Sequence, residues 1–574
     1  MLKKQINSIR RKHGLPFLGI LCLIGAYASA QTYLSTQSLY GFYNVVDLGK
    51  NSVPPVEKDS VGKRSDRTNT PVKKIEIIKS DTLFKHLGAP DITILRDSVI
   101  LYHDGATLYC DSAYYNQALS CFDAFGRVEM NQGDTIFMYG NYMHYDGNTQ
   151  IVYVRENVRL EKDSLTLFTD SLNYDRILNL GYYFDGGMLV DPQNELSSFW
   201  GQYEPNRNIA LFKDSVRLVN PQFVLTSDTL KYSTNTHVAY IVSPTEIVSD
   251  SGKIYTRNGW YNTETQESML LDQSLIVNKD GNRFLRGDSM IYYKDKGYGE
   301  VFGNMYMQDT MKRIILRGHY GIYEEFSGYA MATDSAYCIE YSQKDSLYLH
   351  ADTLRLIPDS TYRQLKAYHN VRIYRADLQA ICDSLQFNSR DSILRLYQNP
   401  ALWSEGRQLT GDTIYIFMND STIDYTHIRR NAFSIEQKDS IHFNQLKGTS
   451  LKLFFDEGAI RRVFAEGNVE TIAYPEEKDK SLTGIRNLLQ AGYLDISVKD
   501  NAFERLVAWP APKGVATPFH LMTSDKYRLK DFYWYDYLRP LNKDDIFRPN
   551  TRKAGDVPPP RSNIWEHFDK EFNN

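Results

Sequence analysis

A repeating pattern restricts this chain more than any other feature of its sequence. Between Leu108 and Leu160 an Asp-Ser pair (Asp111, Ser112) leads into Ala113-Tyr114-Tyr115, and a glycine then precedes an alternating stretch, Gly126-Arg127-Val128-Glu129-Met130. A second Asp-hydroxyl pair (Asp134, Thr135) opens Ile136-Phe137-Met138, and Glu156-Asn157-Val158-Arg159-Leu160 repeats the part of Gly126 to Met130 one unit later. The Asp-hydroxyl form returns at Asp170-Ser171-Leu172, Asp228-Thr229-Leu230, Asp288-Ser289-Met290 and Asp383-Ser384-Leu385, with looser copies at Asp334-Ser335, Asp352-Thr353 and Asp412-Thr413. The other form, a small residue or Asn ahead of alternating apolar positions, returns at Gly303-Asn304-Met305, Asn370-Val371 and Gly467-Asn468-Val469. With weaker matches included, Val128, Val158, Met188, Val216, Ile247, Ile276 and Met305 follow one another at 30, 30, 28, 31, 29 and 29 residues. Val371, Leu402 and Ala432 continue at 31 and 30. A period of this length marks stacked supersecondary units, none of which buries its apolar face alone.

The units read as strands. Val128 and Met130 alternate with Arg127, Glu129 and Asn131, which places apolar side chains on one sheet face. Asp followed by Ser or Thr is expected to form turns at strand edges, because these side chains bond nearby backbone groups. Asp146-Gly147-Asn148, Asp185-Gly186 and Asp280-Gly281-Asn282 are tight-turn sequences. Helical periodicity is nearly absent before residue 475, and the 42 tyrosines favour strands further. The expected fold class is all-β, a stack of ~30-residue repeats with a C-terminal capping region.

Lys3, Lys4, Arg10, Arg11 and Lys12 precede a short apolar run, Leu15 to Ala26, and Ala28-Ser29-Ala30 reads as a cleavage site before Gln31. Residues 1–30 are therefore expected to be a cleaved signal peptide. Their loss removes five of the 66 Lys and Arg and none of the 70 Asp and Glu, leaving a net charge of −9. That balance argues against nucleic acid as a partner. Four cysteines remain, Cys110, Cys121, Cys338 and Cys382, too few for a disulfide scaffold. Buried free thiols are expected, with a Cys110–Cys121 bridge as the alternative. No later run approaches the ~18 apolar residues of a membrane helix.

Residues 31–73 read as a polar linker, 74–300 and 301–474 as two stretches of β-repeats, 475–545 as a C-terminal cap and 546–574 as a flexible tail. Nine of the 20 prolines fall after residue 474. Ser481 to Gln490 suggests a short helix, Gly492 to Val507 two more strands, and Phe532-Tyr533-Trp534-Tyr535-Asp536-Tyr537 is a dense aromatic run.

Catalytic signals are missing. Calcium β-rolls need dense Gly-x-Asp ladders, no histidine pair has zinc spacing, and neither a nucleophile elbow nor a phosphate loop occurs. No catalytic residue, metal or cofactor is expected.

A leader followed by alternating Asp-Ser-Leu-x-Tyr and Gly-Asn-Val-type strands, from about Ile75 to Thr471, resembles the OstA/LptA family of lipopolysaccharide-transport proteins, in its larger OstA-like variant. The resemblance implies an elongated antiparallel β-jellyroll of V-shaped layers in the periplasm, with an apolar groove for lipid A chains. The implied partners are lipopolysaccharide and other transport components joined end to end by strand pairing, or further copies of this chain, at the outer membrane. The candidate groove residues are the apolar alternators Val128, Met130, Val158, Leu160, Val216, Leu218, Met305, Met307, Val371 and Ile373, although each taken singly also suits a filled core. Two rival readings stand beside this one: a structural or adhesive envelope solenoid, and a carbohydrate-active β-helix enzyme. Parallel strands would favour either rival.

Overall fold

Alternating apolar residues make the strands of this protein, and pairs of left-handed residues bend them. The computed structural model describes residues 74–556, apart from 87, 342–345, 359–362, 377, 405, 419–422, 457–458, 478, 480, 500–501 and 554–555. The expected leader and linker, and the tail beyond 556, lie outside the described residues. The described chain is nearly all strand, and every pairing described is antiparallel. Backbone contacts divide it into two compact units, one of residues 74–192 and 199–207, the other of 193–198 and 208–556.

In the first unit β1 (Glu76–Lys79) and β2 (Thr82–His86) both pair with β3 (Ala89–His103). A meander follows through β4 (Ala106–Asn116), β5 (Cys121–Gln132), β6 (Ile136–Asp146), β7 (Ile151–Lys162) and β8 (Leu165–Asp175), each paired with the next. β9 (Leu180–Tyr183) and β10 (Gly187–Val190) then take one half of β8 each.

The long strands are bent near their middles. In β5, Gly126 and Arg127 both have positive φ, 71° and 34°, and together face one residue of β6, Asn141, between the pairs Phe125–Tyr142 and Val128–Gly140. Glu156 and Asn157 of β7 face Asp170 in the same way, and Asp97 and Ser98 of β3 face Asp111. Two residues against one is a β-bulge, and consecutive left-handed residues make it a sharp bend. The uneven count shifts the alternation on the partner strand. β4 buries Ala106, Leu108 and Cys110 before the bend, then Ala113 and Tyr115 after it. Each layer is thereby a V whose two arms point their apolar residues into one interior. The arms meet where His103 Nδ1, on one, lies 2.6 Å from Tyr145 Oη, on the other.

The second unit follows the same rule. Asp214-Ser215 face Asp228, Gly303-Asn304 face His319, Asp334-Ser335 face Asp352, His369-Asn370 face Asp383, Arg430-Asn431 face Thr449, and Gly467-Asn468 face Gly492. The repeat read from the sequence is the recurrence of these bends.

Five of the Asp-hydroxyl pairs correct one expectation, whereas Asp134, Asp288 and Asp412 stand at strand starts as expected. Asp111, Asp170, Asp228, Asp352 and Asp383 do not sit at strand edges; each stands mid-strand, opposite a bend. Their carboxylates serve the bend beside them. Arg127 Nη2 donates to Asp111 Oδ1 at 2.7 Å, Asn370 Nδ2 to Asp352 Oδ2 at 3.0 Å, and the Asn157 amide to Asp170 Oδ1 at 3.4 Å. A bend lifts polar groups out of the hydrogen-bond ladder, and a short acceptor on the neighbouring strand satisfies them.

The short helix expected at Ser481–Gln490 is also absent. Ile485–Lys499 is a strand, paired with Ala459–Ala473 on one side and with Ala502–Trp509 and Lys513–Pro518 on the other. An open strand edge supplies backbone partners that outweigh a weak local helix signal. From Phe519 the chain leaves the sheet as a strap across the outer face of one arm. Leu529, Phe519, Phe532 and Trp534 pack on Phe433, Ile435 and Phe443, while Tyr535 and Leu538 pack on Ile381, Ala401 and Trp403.

Candidate functional site

The ten candidate groove residues all lie just beyond a bend, on one and the same arm in each unit. Val128, Met130, Val158 and Leu160 belong to the first unit, and the other six to the second. Nine of the ten are at most 4% exposed, so in these layers the interior is a packed core. Met307 is the exception and is half-buried. The opposite arm supplies residues that alternation alone did not mark: Phe122, Ala124, Met143, Val152, Val154 and Leu172. The phase shift at each bend hides them from a strict count of two.

A polar latch closes the open side of the V in the first unit. Arg176 Nη1 donates to Tyr145 Oη at 2.7 Å and Nη2 to the Asp104 carbonyl at 2.9 Å, while Nε reaches Gln132 Oε1 at 3.2 Å. Burial pushes the Tyr145 phenol above its usual range, and the Arg176 guanidinium opposes part of that rise. The latch ties one arm to the other with groups that lose water only because they are paired.

The second unit departs from this packing between residues 245 and 293. Here continuous bent strands give way to short ones, each confined to one arm. Thr245–Ser249, Gly252–Thr256, Leu275–Asn278 and Arg283–Arg286 run in order on one side, and Val238–Ile241, Asn258–Asn262, Glu267–Leu271 and Ser289–Tyr293 on the other. Beside these short strands lies a cavity of about 280 Å³. Ile247, Ile254, Ile276, Leu285, Met307 and Phe284 line it with Tyr261, Tyr292 and Tyr323. Its rim carries Lys253, Lys279, Arg283 and Lys294 against Asp250, Asp280 and Glu325. Tyr292 donates its hydroxyl to Glu325 Oε2 at 2.8 Å, and burial followed by that carboxylate drives its phenol up. Lys294 is half-buried; loss of water lowers its ammonium, with Asp250, Asp295 and Glu325 pulling the other way. Of the ten candidates, Met307 alone borders this cavity. The signal for the rest was weak, because Ile276 and Phe284 sit in short strands with no strong repeat motif.

Among the described residues no group of three or more His, Cys, Asp or Glu could hold a metal ion. The four cysteines are free thiols; Cys110, Cys338 and Cys382 are buried and Cys121 half-buried. Burial pushes the Cys110 and Cys338 thiols up to about 12, far from nucleophilic thiolate.

Residues 72–228 match the family model of the OstA-like proteins. The chain carries an OstA-like domain. The OstA-like domain takes in the meander β1 to β10 and reaches into the first long hairpin of the second unit, Ile209–Asn220 with Phe223–Ser233. Among solved structures the chain is similar to LptH of Pseudomonas aeruginosa, described as the LptA-homologous periplasmic component of the lipopolysaccharide transport device. The likeness is 12% identity over 25% of this chain and 79% of that chain, at a TM-score of 0.15. No curated protein matches the chain. The cavity lies beyond the matched residues, so the OstA-like domain and the open interior occupy different stretches of sequence.

Proposed function

We propose that this protein is a non-enzymatic lipid carrier of the periplasm that takes part in lipopolysaccharide transport and outer-membrane assembly. It shields acyl chains between the arms of its V-shaped layers. The observation that carries this reading is the apolar interior, packed around Val128, Val158 and Val371 and opened to about 280 Å³ beside Ile276 and Met307. Each methylene kept from water contributes roughly 0.8 kcal/mol, so a chain of about a dozen carbons costs on the order of 10 kcal/mol to expose. Lipid transfer through water therefore needs walls more than it needs reactive groups. The OstA-like domain and the family's periplasmic setting support the same reading. Among the described residues no helix is long and apolar enough to cross a membrane.

Partners join at the strand edges. β1 and β2 expose Ile78, Leu83 and Phe84, and the last strands, Ala502–Trp509 and Lys513–Pro518, expose Phe503, Leu506 and Val515. Unpaired edges with apolar flanks accept a further strand from a transport component or from a second copy.

The test is photo-crosslinking in cells. A photoreactive side chain at Met307 or Ile276, inward positions that line the cavity, is expected to capture lipopolysaccharide. One at Arg159, on an outward face, is not. Equal yields at inward and outward positions, or none at any inward position, sink the proposal.

A further inference from the structure

The cavity has a size and a rim that select among lipids. Its volume of about 280 Å³ is nearly twice the ~150 Å³ apolar cavity that takes up benzene. That is room for one acyl chain and not for several side by side. The rim is mixed, four cations against three carboxylates, and three of these groups have close partners. Lys253 Nζ pairs with Glu246 at 3.1 Å, Arg283 Nε lies 3.4 Å from Asp309, and Glu325 receives the Tyr292 hydroxyl. Lys294 differs: among the described residues its half-buried ammonium has no ion pair within 4 Å. A desolvated ammonium beside an apolar cavity gains most from an anion that brings its own hydrocarbon, since the pair then forms where water is scarce.

We propose that this cavity is a binding site for one acyl chain ending in an acid group, the chain lying against Ile254, Ile276, Leu285 and Met307 and the acid on Lys294. The proposal rests on the reading that the interior receives lipid, and it narrows that reading to a single-chain anionic amphiphile at one place. The acid is a free carboxylate or a phosphate monoester, as in a fatty acid or a lysophosphatidic acid.

The experiment uses the purified full chain and the fluorescence of cis-parinaric acid. Expected is saturable micromolar binding, displaced by lauric acid or lauroyl-lysophosphatidic acid and at least tenfold less well by dodecanol. The ranking of the two acids tells carboxylate from phosphate. Ile276→Trp, which fills the cavity, should weaken parinarate at least tenfold. Met307→Phe serves if the first variant does not fold. Lys294→Met should cut affinity for the acids at least fivefold and leave dodecanol unchanged. No saturable binding by the natural chain, full binding by a folded filled variant, or an unchanged acid preference in Lys294→Met overturns the site. Lipopolysaccharide crosslinking in cells at Met307 separates the two proposals. If it persists while acid binding fails, only this site falls; if it is lost while acid binding stands, only the transport reading falls.

Discussion

Two left-handed residues in succession are tolerable to glycine, asparagine and aspartate and costly to most others. Gly126, at φ 71°, is held there, and a Cβ added to it would stand 2.6 Å from Asp111 Oδ2. Gly303 repeats the arrangement, with Asp288 Oδ2 at 2.5 Å. Gly126→Ala is therefore expected to lose about 1–2 kcal/mol in urea unfolding, the cost of a left-handed alanine, with little more because the aspartate can swing aside. A second residue-scale prediction concerns acid. Burial, then Lys452 and Arg429, hold the His427 imidazole down to about 4, against the pull of Glu466, and its Nε2 lies 2.9 Å from Ser450 Oγ. The unfolded chain binds this proton near pH 6.5 and the folded one does not, so stability present above that pH drains away as pH falls toward 4. His427→Gln should flatten this slope, by about 1–2 kcal/mol between pH 7 and 4 once solvent screening is allowed for. Denaturant midpoints across that range are the measurement. The bends were legible where Gly or Asn holds one of the two left-handed positions, as at Gly126, Asn157, Gly303, Asn370 and Gly467, and less so where Asp and Ser share the bend, as at Asp97 and Ser98. The duty of the facing aspartates was not, since it depends on which strand lies beside which.

At the scale of elements the strap is the part that sequence reasoning could not see. The aromatic run from Phe532 has no period, and its anchors are single residues far away in the chain. Gln445 exchanges two hydrogen bonds with Tyr527 O and Leu529 N, each 2.8 Å, and Gln408 does the same with Tyr533 O and Tyr535 N at 2.8 and 2.7 Å. Gln379 accepts from Arg539 at 2.7 Å, and the buried Arg372 donates to Leu538 O, Asp545 O and Asn550 at 2.9, 3.0 and 2.8 Å. A side-chain amide gives and takes one bond each, so it pairs with an extended backbone as a strand would. Arg372→Ala is expected to free the strap at a cost of roughly 2–4 kcal/mol, read as faster proteolysis between residues 519 and 552. Arg372→Lys should not rescue it, because one ammonium does not reach three acceptors held in a fork.

On the scale of the molecule, antiparallel pairing throughout the described residues sets this chain apart from a parallel β-helix and leaves an open edge where the last strands stop. Phe503→Lys with Val515→Lys, both at exposed positions, should reduce recovery of partner proteins or sister copies in periplasmic crosslinks without lowering stability by more than ~0.5 kcal/mol. Period and strand content were readable from far apart because most layers share the same bend; the cavity was not, because its lining residues sit in short strands with no strong repeat motif. The strap carries a further implication for how such a protein can change its size. Its anchors, Gln445, Gln408 and Gln379, lie on successive layers and match fixed points along one extended segment. Adding or dropping a hairpin between Arg363 and Phe454 would put anchors and segment out of step. In the first unit the ties that cross strands are single side chains, such as Arg176 reaching Asp104 and Gln132, and no extended segment is pinned across the described strands there, so a hairpin of about 30 residues could be gained or shed at lower cost. The strap is thus a gauge that sets how many layers one half must have, and variation in length among descendants of this chain is expected to collect in the other.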